Sequence, residues 1–248
     1  MPYILEICVA GKTVEISKYH SYRWNCKGEK REKRKQPTTE QQEKVNLRMA
    51  TKTLRRLMNN NFSDEDSMLL TLDFRLEERP KTSVEMQNTM KTFLKRLRRK
   101  FKKKNLPLKY IYVKELGPRG GAHIHMLMTK CEIDILQYCW SWGGINIQPL
   151  HTDGQYEKIA KYFVKYADRT IKTEGKLIGK KWYPSRNLKQ PTIIKKIIKQ
   201  ADTFRETPQE KKGYYLEKDS VYSGITKDGY GFFTYTLHKL MEKRRLRP

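Results

Sequence analysis

Apolar residues recur along this chain with two periods, and the switches between them outline its elements. Near the start, Ile4, Leu5, Ile7 and Val9, then Val14 and Ile16, alternate loosely and predict a hairpin around Ala10-Gly11-Lys12. A basic stretch from Cys26 to Pro37 reads as loop. Thr38 and Thr39 then offer N-caps with Gln41 or Gln42 three residues on, so a helix opens there. Val45, Met49, Leu54, Leu57 and Met58 mark its inner face, and Asn59-Asn60-Asn61 ends it. The run Ser67 to Phe74 reads as a buried strand. After Pro80, Thr82 and Glu85 form a second capping box. Val84, Met90, Phe93, Leu94, Leu97 and Phe101 give that helix its inner face, as far as about Lys104.

Two further strands, Tyr110 to Glu115 and Ala122 to Met128, flank the turn Gly117-Pro118-Arg119-Gly120-Gly121 and form an antiparallel hairpin. A helix around Ile133 to Trp140, a short strand Ile145-Asn146-Ile147 and a helix from Tyr156 to Arg169 come next. The pattern predicts one more helix near Ile193 to Ala201 and then a mixed tail. The expected division is a basic N-terminal extension over 1–62, a main domain over 63–200 and a tail over 201–248.

Charge adds what the pattern lacks. Fifty-three Lys and Arg face 27 Asp and Glu among 248 residues, a formal +26. An excess of that size predicts a polyanionic partner, nucleic acid above all. No apolar run approaches the roughly 20 residues that cross a bilayer, and the N-terminus is not a signal peptide. The four cysteines form no CxxC pair, so neither a zinc ribbon nor a disulfide framework is indicated. The chain reads as cytoplasmic, without a membrane partner. The helix ending near Lys104 carries Lys95, Arg96, Arg98, Arg99, Lys100 and Lys102 to Lys104 on its other face, either a solvated helix end or a DNA contact.

Side chains two apart on a strand share a face, so His123 and His125 point the same way, about 7 Å apart. Across the turn Glu115 projects onto that face. Two imidazoles and a carboxylate suit Mg²⁺ or Mn²⁺ as well as zinc. The helix from Tyr156 buries Tyr156, Ile159, Ala160, Phe163 and Ala167 along one side. Tyr162 lies on the flank of that side and Tyr166 closer to its centre, with Lys165 three residues from Tyr162. A phenol ionises near pH 10, so a nucleophilic tyrosine needs its phenolate stabilised.

Three blocks thus stand in order: Leu69-Leu70-Thr71-Leu72, then Glu115 with His123-Ile124-His125, then Tyr162-Phe163-Val164-Lys165. This order resembles the rolling-circle replication initiators of the HUH superfamily, most of all the phage gene II-like replication-associated proteins. Ser185-Arg186-Asn187-Leu188 and the region from Thr38 to Phe62 also look like segments of that group. The resemblance implies an α+β fold, a five-stranded antiparallel sheet in a ferredoxin-like variant with helices around it. It implies a metal on His123, His125 and Glu115, and Tyr162 as nucleophile aided by Lys165. Tyr166, four residues on, resembles the second tyrosine of some phage initiators and is taken as a helper or a packing residue.

The implied reaction is nicking and rejoining of single-stranded or hairpin origin DNA through a 5′-phosphotyrosine. A host helicase and the replication machinery are implied as further partners, in a bacterial cell with a plasmid- or phage-borne gene. Arg119 and Arg186 are candidates for phosphate contacts. Trp140, Trp142 and Trp182 are candidates for base stacking, with core packing as the alternative. A conjugative relaxase, a single-strand transposase and a non-catalytic DNA-binding factor remain as other readings.

Overall fold

The computed structural model describes residues 2–21, 24, 39–117, 121–175, 179–198, 206–226 and 228–240. They fall into two compact units, one made from residues up to 40 together with those from 190 onward, the other from 41–189. Among the described residues no helix is long and apolar enough to cross a membrane.

The unit built from the chain ends is a five-stranded antiparallel sheet. Its strands β1 (Tyr3–Ala10) and β2 (Thr13–His20) form the expected hairpin, closed by Gly11 at φ 57°. Only glycine takes that left-handed conformation at no steric cost. Strands β8 (Thr192–Ile198), β9 (Tyr214–Ile225) and β10 (Gly231–Lys239) complete the order β8-β1-β2-β10-β9. Val14, Ile16, Phe233, Tyr235 and Leu237 form its core.

This unit differs from the division expected at 62 and 200, and residues 192–198 are strand where a helix was expected. Ile193, Ile194, Ile197 and Ile198 satisfy a helical spacing as well as a strand. Their branched side chains favour the strand, and pairing with β1 from Tyr3 to Val9 decides it.

The other unit is a five-stranded antiparallel sheet between two helical layers, as the α+β expectation required. It contains α1 (Glu40–Asn59), β3 (Ser67–Asp73), α2 (Ser83–Lys103), β4 (Tyr110–Leu116), β5 (Ala122–Thr129), α3 (Ile133–Cys139), β6 (Ile145–Gln148), α4 (Glu157–Glu174) and β7 (Tyr183–Pro184), with sheet order β6-β3-β5-β4-β7. The histidine strand β5 is therefore central.

Even-numbered residues of β3 and β5, Leu70, Leu72, Ile124 and Met126, face α2 and α3. Leu69, Leu127, Ile111 and Val113 face the other way, against α1 and α4. Met86, Met90, Phe93, Leu94, Leu97 and Phe101 of α2 are buried, each such side chain contributing about 1.5–3 kcal/mol. Thr82 caps α2 as expected, accepting from Glu85 N at 3.2 Å. Val84 is half exposed, so among the apolar residues the inner face begins two residues later, at Met86. Likewise α1 is fully buried only in its last turns, at Leu54, Leu57 and Met58; Leu47 and Ala50 pack partly against the same core, while Val45 and Met49 are exposed.

Two contacts fix the elements that carry chemistry. The chain at Gly143 crosses the end of β3 so closely that an added Cβ would lie 2.1 Å from the Asp73 carbonyl oxygen. Asp73 N donates to Gly144 O and Arg75 N to Trp142 O across that crossing. The N-terminus of α4 has no side-chain cap of its own. Asn59, the last residue of α1, and Asp64, from the connection to β3, hold it instead. Asn59 Oδ1 accepts from Tyr156 N at 3.0 Å. Asp64 accepts from Thr152 N and Oγ1, each at 2.5 Å, from Asp153 N at 2.8 Å and from the Tyr156 hydroxyl at 3.3 Å.

Candidate active site

Register places the site. On β5, His123 pairs with Asp73 of β3 and Glu115 of β4, and His125 pairs with Thr71 and Val113. Directly opposed residues in an antiparallel sheet share a face, so Thr71, Asp73, Glu115, His123 and His125 all lie on the α1/α4 side. Beyond the apolar contacts of that face the layer becomes polar, and the tyrosines of α4 arrive there.

The hydrogen bonds form two ladders. His123 Nδ1 meets Asp73 Oδ1 at 2.6 Å, half exposed. His125 Nε2 meets Glu115 Oε2 at 2.9 Å and is almost wholly buried. Arg169 Nη1 donates to the other Glu115 oxygen at 2.5 Å, and its guanidinium lies over the Tyr166 ring, 5.5 Å from the centroid. Burial alone would raise the Glu115 pKa, but the bonds from His125 and Arg169 outweigh it and hold the carboxyl below its ordinary value.

Both tyrosines reach His125. The Tyr162 hydroxyl is 3.3 Å from His125 Nδ1, which also lies 3.2 Å from Thr71 Oγ1. Tyr166 leans its ring over the imidazole at 4.4 Å, and the two phenol rings meet edge to face at 4.3 Å. In a neutral imidazole whose Nε2 donates to Glu115, Nδ1 is an acceptor, and Thr71 and Tyr162 are the donors in reach. Burial pushes the Tyr162 phenol well above its ordinary pKa, and the Tyr166 hydroxyl and the Glu115 charge push the same way against a weaker pull from Thr71. At rest, the phenol is protonated.

The donor set suits a divalent ion in kind. On each histidine Nδ1 is engaged by a β3 residue, Asp73 or Thr71, which orients the ring as carboxylate and hydroxyl partners orient metal-binding imidazoles. The ring centroids are 6.4 Å apart, wider than tetrahedral coordination of one ion by both rings would place them. The donors are paired with each other rather than aimed at one point. No group of three His, Cys, Asp or Glu among the described residues is arranged to hold a metal as it stands.

The remaining expected residues are distributed as follows. Lys165 is exposed on α4; with Asp168, Arg169 and Lys172 it borders a shallow groove of about 390 Å³. Arg119 lies outside the described residues. Arg186 is exposed, and its neighbours explain the segment around it. Ser185 Oγ accepts from Tyr110 N, and Asn187 Nδ2 donates to Leu108 O, so the segment clamps onto β4 and turns Arg186 outward. Trp140 is core, its indole donating to Asp73 O at 3.1 Å. Trp142 and Trp182 are partly buried against the two cores.

Sequence reasoning missed Asp73 and Arg169. Asp73 stood at the end of the Leu-Thr-Leu strand, two residues from Thr71, an available signal. Arg169, one turn beyond Lys165, gave none.

Residues 67–171 match the family model of the replication-associated protein ORF2/G2P. The match begins at β3 and ends inside α4, so it contains Thr71, Asp73, Glu115, His123, His125, Tyr162, Lys165, Tyr166 and Arg169. The sheet of the chain ends, α1 and Arg186 lie outside it. No curated protein and no solved structure gives a significant match.

Proposed function

We propose that this protein initiates DNA replication by nicking and rejoining single-stranded DNA with Tyr162 as nucleophile. The observation that carries the reading is the approach of the Tyr162 hydroxyl to His125 Nδ1 at 3.3 Å, together with a match to a replication-associated family over the same elements.

In the proposed reaction Tyr162 Oη bonds to the scissile phosphorus and the bond from phosphorus to the 3′ oxygen breaks. The product is a 5′-phosphotyrosine and a free 3′-OH, and the phenol proton ends on the departing oxygen. His125 Nδ1, within hydrogen-bond distance of the phenol, is an acceptor for that proton. Because one phosphodiester replaces another, a 3′-OH can reverse the step and rejoin the strand. His123, His125 and Glu115 would hold a divalent ion, Mg²⁺ or Mn²⁺, whose Lewis acidity polarises the phosphate and favours the phenolate. Asp73 and Arg169 position these groups. Lys165 and Arg169 face the groove on α4, where a strand entering the site meets two cations.

Tyr162 rather than Tyr166 is assigned the attack because its hydroxyl, not its ring face, meets His125. The test incubates the protein with Mn²⁺ and labelled single strands spanning the replicon's origin, then reads covalent adduct on a denaturing gel. Wild type and Tyr166→Phe should form the adduct, and Tyr162→Phe should form none. An adduct on Tyr162→Phe refutes the assignment. No adduct with any form of the protein leaves only DNA binding.

A further inference from the structure

The basic end of α2 divides into two classes when its side chains are sorted by what they touch. Arg96, Arg98, Lys100 and Lys104 are engaged with the protein. Arg96 donates to Cys139 O and Ser141 Oγ and lies over Trp142, and Arg98 donates to the Tyr110 hydroxyl at 2.7 Å. Lys100 sits 3.8 Å over the Tyr138 ring, and Lys104 pairs with Glu132. Lys95, Arg99, Lys102 and Lys103 are exposed and meet no acceptor among the described residues.

Helix geometry explains the division. At about 100° per residue, the buried residues Met86 to Phe101 centre on one side of α2. The four unengaged cations fall in an arc of roughly 100° directly opposite, and the engaged ones flank the core. The unengaged set forms a single outward stripe, about 12 Å long from the rise of 1.5 Å per residue. No acidic residue occurs between Glu85 and Glu115 to neutralise it. Compensation of the helix dipole accounts for charge in the last turn only, which leaves Lys95 and Arg99 unexplained.

We infer that this stripe is a second DNA-holding surface, one that grips the phosphate backbone of duplex DNA without regard to sequence. Long cationic side chains with no amide or aromatic among them make phosphate contacts, which position DNA but do not read it. Single-strand sites add exposed aromatic rings among the cations for stacking; Lys95, Arg99, Lys102 and Lys103 have no exposed ring among them, and the exposed ring of Tyr138 belongs to α3, where it meets Lys100 rather than the stripe. A membrane surface would need apolar side chains beside the charges. The one exposed large apolar residue on α2, Val84, is at the far end of the helix.

The stripe and Tyr162 lie on opposite sides of the sheet, since α2 covers the Leu70/Ile124 face and α4 the Leu69/Leu127 face. A duplex on the stripe is therefore a separate stretch of DNA from the strand at the tyrosine. This surface goes beyond the nicking reaction and does not depend on it.

The test compares the full chain with K95Q/R99Q/K102Q/K103Q, whose glutamines keep helix propensity. A scattered control, K130Q/K158Q/K180Q/K189Q, removes the same charge elsewhere. Binding of a 20-base-pair duplex of arbitrary sequence is followed by anisotropy across a salt series. Each phosphate contact contributes about 0.9 to the slope of log K against log salt. The stripe variant should lose about 2–4 from that slope and at least tenfold in affinity at the lowest salt, and the control less than 1. Equal losses in both variants, or none in the stripe variant, overturn the inference, as does retained duplex binding with loss only of an acidic protein partner. Adduct formation on a short single strand should be unchanged in the stripe variant. Its absence in the wild type would count against the nicking reaction alone.

Discussion

Replacing Asp64 by asparagine removes one charge and almost nothing of shape. In the native protein Oδ2 accepts from the backbone N–H of Thr152 and Asp153, and Oδ1 from the hydroxyls of Thr152 and Tyr156. An asparagine can turn its oxygen to the two backbone donors, which cannot move. Its amide then faces the two hydroxyls, which rotate to accept. All four bonds survive in neutral form, so the loss is the charge assistance, partly screened because the site is half exposed. That is about 1–2 kcal/mol, against about 3 kcal/mol for alanine, which leaves the donors without any acceptor.

These bonds hold the Asp64 carboxyl below its ordinary 3.8, burial alone pulling the other way. A depressed folded pKa contributes stability that is complete above the unfolded value and is lost as pH falls through the folded one. The gap between wild type and Asp64→Asn should therefore be constant from about pH 5 to 8 and close below about pH 4. Urea unfolding followed through Trp140, buried in the same unit, measures it at each pH. An asparagine protein as stable as wild type at pH 7, or a gap that persists undiminished at pH 3, would refute the reasoning.

Gly143→Ala should cost about 3 kcal/mol or more in the same unfolding assay, because the new Cβ meets backbone that cannot yield; a loss below 1 kcal/mol would show that the crossing is looser than described. Arg169→Met leaves the buried Glu115 with His125 alone. It should cost about 1–2 kcal/mol in metal-free buffer and slow adduct formation at least tenfold, with Arg169→Lys recovering part of the stability but less of the rate; an unchanged rate would remove Arg169 from the site.

The elements around the site were legible in the sequence because local rules produce them. Thr82 caps α2 as its spacing predicts, although the Glu85 carboxylate accepts from Lys81 N rather than closing the box on Thr82, and the paired period-2 runs around residues 117–121 give the β4–β5 hairpin. The same alternation puts His123 and His125 on one face and Glu115 beside them, since a hairpin register follows from its turn. The helical period of Tyr156 to Ala167 likewise located α4 and the two candidate tyrosines.

Long-range pairing decided the rest. Nothing in Ile4 to Val9 identifies residues 192–198 as a partner across most of the chain, and a run of isoleucines and lysines fits helix and strand alike until β1 is there to pair with it. For the same reason Asp73 and Arg169 stayed invisible. Each becomes part of the site only when β3 lies along β5 and α4 lies across Glu115, and their contacts span 50 and 54 residues of chain. The sequence by itself determined which side chains share a face. The tertiary structure determined which of those faces meet, and it brought the Tyr162 hydroxyl rather than that of Tyr166 to the histidine, because the seating of α4 is fixed at Asn59 and Asp64, outside the helix itself.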